Sequence, residues 1–302
     1  MTTLTLSTEA PRLLTKTIAP GTCGELVQGH LNGRDFLVNC PIDLYAEAEV
    51  TSAATDGLHL HDAGRFHKIR DTLTLAAHEC FLHLRHGVRV RSGIPRGKGM
   101  ASSSADIGAA LSALLTACGR TVSEELFAKL LTEVEPSDCV HFRGIAHLNH
   151  ITGDLIARYR APGKLRVLIV DCGGEIDTLV FDRQHAREVY RANEKTINEA
   201  VTRVSQGLKQ GDLAMIGQAA TISAELSQLI HRKPQLTELI GLTRPLGALG
   251  VNCAHSGSVL GVMYRADERL GEDLRRAVSD HFGSSLAVIG DHAVIDGGCH
   301  VR

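Results

Sequence analysis

Tryptophan is absent from this chain of 302 residues, and all aromatic residues together make up only 4% of it. Neither sign of charge is in excess, with 32 basic against 34 acidic side chains, so the electrostatic footprint of a nucleic-acid or acidic-membrane binder is missing. A small-molecule ligand is the better expectation. The eight cysteines, at 23, 40, 80, 118, 139, 172, 253 and 299, form no C-x-x-C pair and no regular spacing. That pattern suits reduced thiols rather than a disulfide framework. No signal-peptide pattern opens the chain and no apolar run reaches membrane-spanning length, which points to the cytoplasm. Internal repeats and low-complexity stretches are also lacking. What remains, 43% hydrophobic and 22% charged residues, is ordinary for one large or two modest globular domains with ample core.

The most informative segment is Pro95 to Ile107, PRGKGMASSSADI. Before it, Val88, Arg89, Val90 and Arg91 alternate as a half-buried strand does. After it, Ile107, Leu111, Leu114, Leu115 and Cys118 recur at helical spacing and Gly119 supplies a stop. The serines therefore stand at a helix start, where free N–H groups and the positive end of the helix dipole stabilise an anion. Glycines and serines let phosphate oxygens approach the backbone. An ordinary serine N-cap is the plainer alternative. The P-loop signature fails because Met100 and Ala101 follow Gly99, and the dinucleotide fingerprint fails because Ser102 stands where its third glycine belongs.

The rest of the chain reads as α+β. Ala46, Ala48 and Val50 alternate with Glu47, Glu49 and Thr51 as a strand. A helix after Ser123 carries Leu126, Phe127, Leu130, Leu131 and Val134 on one face and is stopped by Pro136. Leu165 to Val170 is a buried strand, and Arg183 to Gly207, Asp212 to His231 and Gln235 to Leu246 read as three helices. An apolar strand, a helix near Asp267 to Phe282 and a final strand pair around Leu286 to Val301 follow. A joint is expected between Gly153 and Lys164, where Pro162 and Gly163 lie, separating units at 1–158 and 159–302.

Three segments in order carry a resemblance. The motif P-x-x-x-G-x-x-S-S-S-A from Pro95 to Ala105 resembles the second motif of the GHMP kinases, the superfamily of galactokinase, homoserine kinase and mevalonate kinase. Ala19 to His30, APGTCGELVQGH, is similar to that family's first motif, a proline and glycine turn followed by G-E. Leu249 to Met263, LGVNCAHSGSVLGVM, is similar to its third, a small-residue loop running into an apolar strand. Within the superfamily, Gly97 to Ile107, Cys40 to Asp43 and Glu135 to Asp138 resemble the L-threonine kinase branch. The resemblance implies an N-terminal ribosomal-S5-like domain and a C-terminal ferredoxin-like domain, with ATP and Mg²⁺ as cofactors. It implies phosphorylation of the side-chain hydroxyl of free L-threonine, the phosphate going on to the aminopropanol linker of cobalamin. A homodimer is compatible with it, and no nucleic-acid or membrane partner is implied. Serine, homoserine or ethanolamine as acceptor, and a nucleotide-binding sensor without turnover, stand as alternatives.

The resemblance also implies roles. Pro95, Arg96, Gly97, Lys98, Gly99, Met100, Ala101, Ser102, Ser103, Ser104 and Ala105 would hold the nucleotide, with Lys98 adding a point charge. A serine hydroxyl at Ser103 or Ser104 suits Mg²⁺, a hard cation that takes oxygen donors, and family position favours Ser103. Glu135 would complete the metal shell, with Glu133 in reserve, and Asp138 falls where related kinases carry a base toward the acceptor. Many members place a lysine in motif one beside that aspartate; this chain has Thr22 and Cys23. In a loose, metaphosphate-like transition state Asp138 then orients the hydroxyl and accepts its proton late, unless Lys16 or Lys98 replaces the missing charge. For the acceptor, Glu25 and Asp43 are candidates for the ammonium and Arg143 or Arg96 for the carboxylate. His255, Ser256 and Gly257 would shape the acceptor side.

Sixteen histidines include a cluster at His141, His147 and His150. No cysteine joins them at zinc-like spacing and no H-E-x-x-H run occurs, so structural roles are expected. His59, His61 and His67 are expected in a glycine-containing loop and carry less weight.

Overall fold

The computed structural model describes residues 11–61, 67–173 and 182–302. Strands β1 (Leu13–Leu31) and β2 (Arg34–Ser52) form a long antiparallel hairpin. Asn32 and Gly33, at φ of 52° and 76°, close it with the left-handed pair that a tight hairpin turn requires. Motif one lies inside β1. Its proline and glycine make register slips between Pro20 and Gly21 and again from Thr22 to Val27, so the expected turn is a bulged strand. Ala46, Ala48 and Val50 are buried as the alternation predicts, while Lys16 pairs with Glu47 across the other face.

There follow β3 (Gly57–Leu60), α1 (His67–Glu79), β4 (Arg85–Ser92), α2 (Ser102–Ala117), α3 (Glu124–Thr132), β5 (Ile145–Leu148) and β6 (Leu155–Tyr159). Next come β7 (Leu165–Asp171), α4 (Arg183–Ala192), α5 (Glu194–Gln210), α6 (Leu213–Ser227) and α7 (Leu236–Thr243). Then β8 (Gly250–Cys253), β9 (Val259–Arg265), α8 (Glu268–Phe282), β10 (Ala287–Ala293) and β11 (His300–Val301) complete the chain. The strands run in the order β10-β7-β9-β8-β1-β2-β4-β3, with β5 added to β2, β6 to β5 and β11 to β1. The two halves of the sheet meet where Glu25 of β1 pairs with Cys253 of β8, which brings the first and third motifs together.

Helix α2 is buried on almost every side, from Ser104 to Leu115. Its alanines and Gly108 let it lie close on the sheet, and Thr17 of β1 donates to the Ala109 carbonyl at 2.6 Å. A second core joins Leu168 and Val170 of β7, Val251 of β8 and Leu260 and Val262 of β9 to Leu239 of α7 and Leu274 and Val278 of α8.

Four local expectations are corrected. The helix after Ser123 ends at Thr132; Val134 and Glu135 both donate to the Leu131 carbonyl in a tight turn, because Pro136 disfavours helical backbone at the residue before it. The span from Arg183 to Gly207 breaks at Asn193, whose backbone and side chain both donate to the Val189 carbonyl and close α4. The last two strands do not pair with one another: β10 joins β7 and β11 joins β1. His67 begins helix α1, and His59 lies on β3; residues 62–66 of the expected loop lie outside the described residues. All eight cysteines are free thiols, and no described helix is long and apolar enough to cross a membrane.

Candidate active site

The segment before α2 folds as a chain of left-handed residues. Gly97, Gly99 and Ala101 have φ of 68°, 77° and 56°. A Cβ at Gly99 would stand 2.3 Å from the Ala254 Cβ, so glycine is needed there for both conformation and space. Three backbone bonds fix this loop: Thr22 N–H to Met100 O (3.0 Å), Gly24 N–H to Gly99 O (3.3 Å) and Val259 N–H to Lys98 O (3.2 Å). All three motifs thus share one junction.

The start of α2 is open. Ser123, Asp182, Asp212 and Asp267 cap α3, α4, α6 and α8 with their side chains. Ala101 precedes α2 with no side-chain cap, and no acid stands in the first turn. This rules out the serine N-cap and leaves the first-turn amides without a side-chain cap, the arrangement that suits an anion.

They face a cavity of about 410 Å³. Three side chains meet on its wall: the Ser103 hydroxyl donates to Glu135 Oε1, and the Lys68 ammonium donates to Glu135 Oε2. Ser104 is turned inward, and its Oγ accepts from the Asp138 N–H at 3.2 Å and from the Ser137 hydroxyl at 3.1 Å. That bond fixes the turn carrying Asp138. Burial, reinforced by the Glu135 charge and opposed by the Ser104 hydroxyl, pushes the Asp138 carboxyl up to about 6.

The structure gathers some expected residues and disperses others. Arg96, Gly97, Gly99, Met100, Ala101, Ser102, Ser103, Ser104, Glu135, Asp138, His255 and Ser256 line the cavity. Pro95, Lys98 and Ala105 do not: Lys98 Nζ lies 2.8 Å from Asp171 on β7, and Ala105 is buried in the core. Arg96 is paired with Asp106 at 2.7 Å. Gly257 packs against the backbone of Lys98 and Gly99. Glu133 is exposed at the end of α3. Asp43 is a correction, since its carboxylate accepts from His292 Nδ1 and the Ala293 N–H of β10, away from the cavity. Arg143 is another, exposed beside Gly298.

Glu25 is buried, and its Oε2 accepts the His255 N–H at 2.6 Å without lining the cavity. Burial and the Asp138 charge raise its carboxyl well above the usual range, against the pull of the His255 N–H and the Lys233 ammonium. Lys16 pairs with Glu47, so neither it nor Lys98 stands in for the absent motif-one lysine.

Sequence reasoning missed Lys68, Arg183, Ser137, His67 and His150 on the cavity wall. Among the clustered histidines, His141 stacks on Phe127 and donates its Nε2–H to the Glu124 carbonyl, and His147 meets the Phe36 ring edge-on. His150 differs: it lines the cavity with its ring 5.1 Å from that of His255, and its buried Nδ1 has no hydrogen-bond partner. Burial lowers His150 to about 4 and His255 to about 3, so both rings are neutral. No cluster of metal-holding His, Cys, Asp and Glu occurs among the described residues.

Residues 68–143 match the family model for the GHMP kinases N terminal domain, and residues 204–284 match that for GHMP kinases C terminal. The chain is similar to an L-threonine kinase of Citrobacter freundii, 33% identical over 246 residues that cover 81% of this chain and 84% of the relative. The chain belongs to the GHMP kinase family. An L-threonine kinase of Salmonella typhimurium is 32% identical, with 81% of each chain covered. Among solved structures, a homoserine kinase from Cytophaga hutchinsonii superposes with a TM-score of 0.76 at 16% identity, covering all of both chains. The mixed α+β architecture of this GHMP kinase is the one its three motifs imply.

Proposed function

We propose that this chain transfers the terminal phosphoryl group of ATP to the side-chain hydroxyl of free L-threonine, giving L-threonine O-3-phosphate and ADP. The observation that carries the reading is the convergence, on one cavity, of an uncapped helix start, the Ser103–Glu135 pair and Asp138. The two curated relatives, both L-threonine kinases, support the choice of acceptor.

The donors fit a hard divalent cation. A serine hydroxyl and a carboxylate already share a hydrogen bond, and both are oxygen ligands of the kind Mg²⁺ takes. Mg²⁺ bound there would neutralise charge on the transferred phosphoryl group. The amides of Ser102, Ser103 and Ser104 hold phosphate oxygens at the helix start. Asp138, its backbone fixed by Ser104, orients the acceptor hydroxyl and takes its proton as the new O–P bond forms and the bond to the ADP oxygen breaks. With no lysine beside it, Asp138 keeps a carboxyl near 6 and accepts that proton late.

Arg183 supplies the cation that an amino-acid carboxylate needs. It lines the cavity beside His150 and His255 and makes no ion pair among the described residues. It replaces Arg143, which is too far out, and Arg96, which is held by Asp106.

A coupled assay of ADP release with L-threonine, L-serine, L-homoserine and ethanolamine tests the reading. Threonine is expected to give the highest kcat/KM, and its extra methyl is worth about 1–3 kcal/mol over serine. Equal or better turnover of homoserine would overturn the choice of acceptor, and absence of ADP release with any of the four would overturn the kinase.

A further inference from the structure

Both oxygens of Glu135 are engaged: one by the Ser103 hydroxyl, the other by the Lys68 ammonium. Lys68 comes from the first turn of α1, an element remote in sequence from the other two, and its side chain is 37% exposed against 17% for Glu135. The carboxylate stands beside a second one, Asp138, on the wall of the cavity. Two acids so placed need a cation nearby, and before any metal arrives the ammonium is the one in contact.

We propose that Lys68 is a resident counter-ion for Glu135 that yields its place to the divalent cation. Lys68 is thus a positioning residue: it keeps Glu135 turned toward Ser103 in the unloaded protein. A flexible four-carbon stem lets its charge swing off as the metal takes up the carboxylate. The inference rests on the reading of Ser103 and Glu135 as metal holders, and goes beyond it in assigning a competitor for that site.

The test uses the full chain and Mn²⁺ alone, without nucleotide. Free Mn²⁺ is followed by its electron paramagnetic resonance signal in wild-type, Lys68→Met, Lys68→Arg and Glu135→Gln proteins. Removing the competing ammonium is expected to tighten Mn²⁺ binding about fivefold in Lys68→Met, and Lys68→Arg should stay near wild type. In parallel, trace acetylation of the wild-type protein, read by mass spectrometry, reports the Lys68 amine directly. Its labelling is expected to rise several-fold at saturating Mn²⁺ as the amine leaves Glu135. Unchanged labelling, or Mn²⁺ affinity in folded Lys68→Met no tighter than wild type, would overturn the exchange while leaving the metal site intact. Mn²⁺ binding that ignores Glu135→Gln would instead remove the metal reading, and this inference with it. Should Lys68→Met not fold, the labelling of the wild-type chain decides alone.

Discussion

Lys98 and Asp171 are joined across 2.8 Å, an ion pair that ties the loop before α2 to the end of β7. The same carboxylate accepts the Ser258 hydroxyl at 2.5 Å and the Gly173 N–H at 3.0 Å. Burial alone would raise the Asp171 carboxyl, yet these partners hold it below the usual carboxylate value. A residue expected to touch phosphate is instead paired with a carboxylate, and the pair positions the loop before α2. Asp171→Ala is expected to cost about 1–3 kcal/mol of stability, measured by urea unfolding, and to raise KM for ATP with little change in KM for threonine. A kcat loss with both KM values intact would place Lys98 in the chemistry instead.

In the proposed reaction Asp138 acts on the acceptor proton and not on the nucleotide. Replacing it with asparagine keeps size and polarity and removes the basic oxygen. Asp138→Asn should lower kcat roughly 10²- to 10⁴-fold, the usual range for loss of a general base. Calorimetric binding of ATP with Mg²⁺ should stay within about threefold of wild type, since the amides and the Ser103–Glu135 pair are retained. Full turnover in this variant would transfer the role to another acid.

The same carboxyl sets a pH dependence. With its value pushed up to about 6, Asp138 is ionised above that pH and neutral below it. The kcat/KM profile should fall toward about tenfold per pH unit below 6. The effect on stability runs the other way. The folded value lies above that of an unfolded aspartate, near about 4, so the group favours the folded chain at acid pH and that contribution is lost as pH rises through about 6. Asp138→Asn should flatten both dependences, and an activity profile level down to pH 5 in the wild type would contradict the assignment.

Gly99 is the tightest point of the junction. Gly99→Ala would force a φ of 77° on a residue with a side chain and drive its Cβ to 2.3 Å from that of Ala254. Strain of about 1–3 kcal/mol is expected. Because the loop is pinned to Gly24, Thr22 and Val259 through its carbonyls, the strain falls on phosphate binding as well as on stability. A lower Tm together with weaker ATP binding is the expected pair of results; a variant that melts like wild type would show that the loop relaxes freely.

Local signals made part of this legible. The serine run, the apolar spacing of Ile107 and Leu111 and the stop at Gly119 mark α2 to within a residue, because a buried helix start leaves its pattern in neighbouring positions. Ser103, Glu135 and Asp138 follow from the resemblance to the family's motifs, and the cavity gathers all three. Lys68 and Arg183 leave no such trace. Each sits in a polar first turn whose composition resembles a solvated helix end, and only the packing of α1 against α2 and of α4 against β1 brings them to the cavity. The pairings of β11 with β1 and of Asp43 with β10 are likewise long-range, with nothing in the local pattern to announce them. The Lys98 pairing is long-range in the same way: a lysine in a glycine-rich loop looks free in the sequence until the fold brings Asp171 to it from 73 residues away.

In the proposed reaction Arg183 would separate acceptor recognition from nucleotide recognition. It belongs to α4, an element other than the glycine loop and α2, and lines the cavity next to His150 and His255. A guanidinium offers a carboxylate two parallel hydrogen bonds, whereas ethanolamine has no carboxylate to receive them. Arg183→Met should therefore raise KM for L-threonine by roughly 10- to 150-fold, the equivalent of about 1.5–3 kcal/mol for hydrogen bonds to a charged group. KM for ATP should hardly move, and the preference for threonine over ethanolamine should shrink by a similar factor. Arg143→Met is the matched control, since that arginine is exposed and away from the cavity wall. If steady-state kinetics show Arg143→Met to be the damaging change and Arg183→Met to be silent, the acceptor carboxylate lies on the other side of the site.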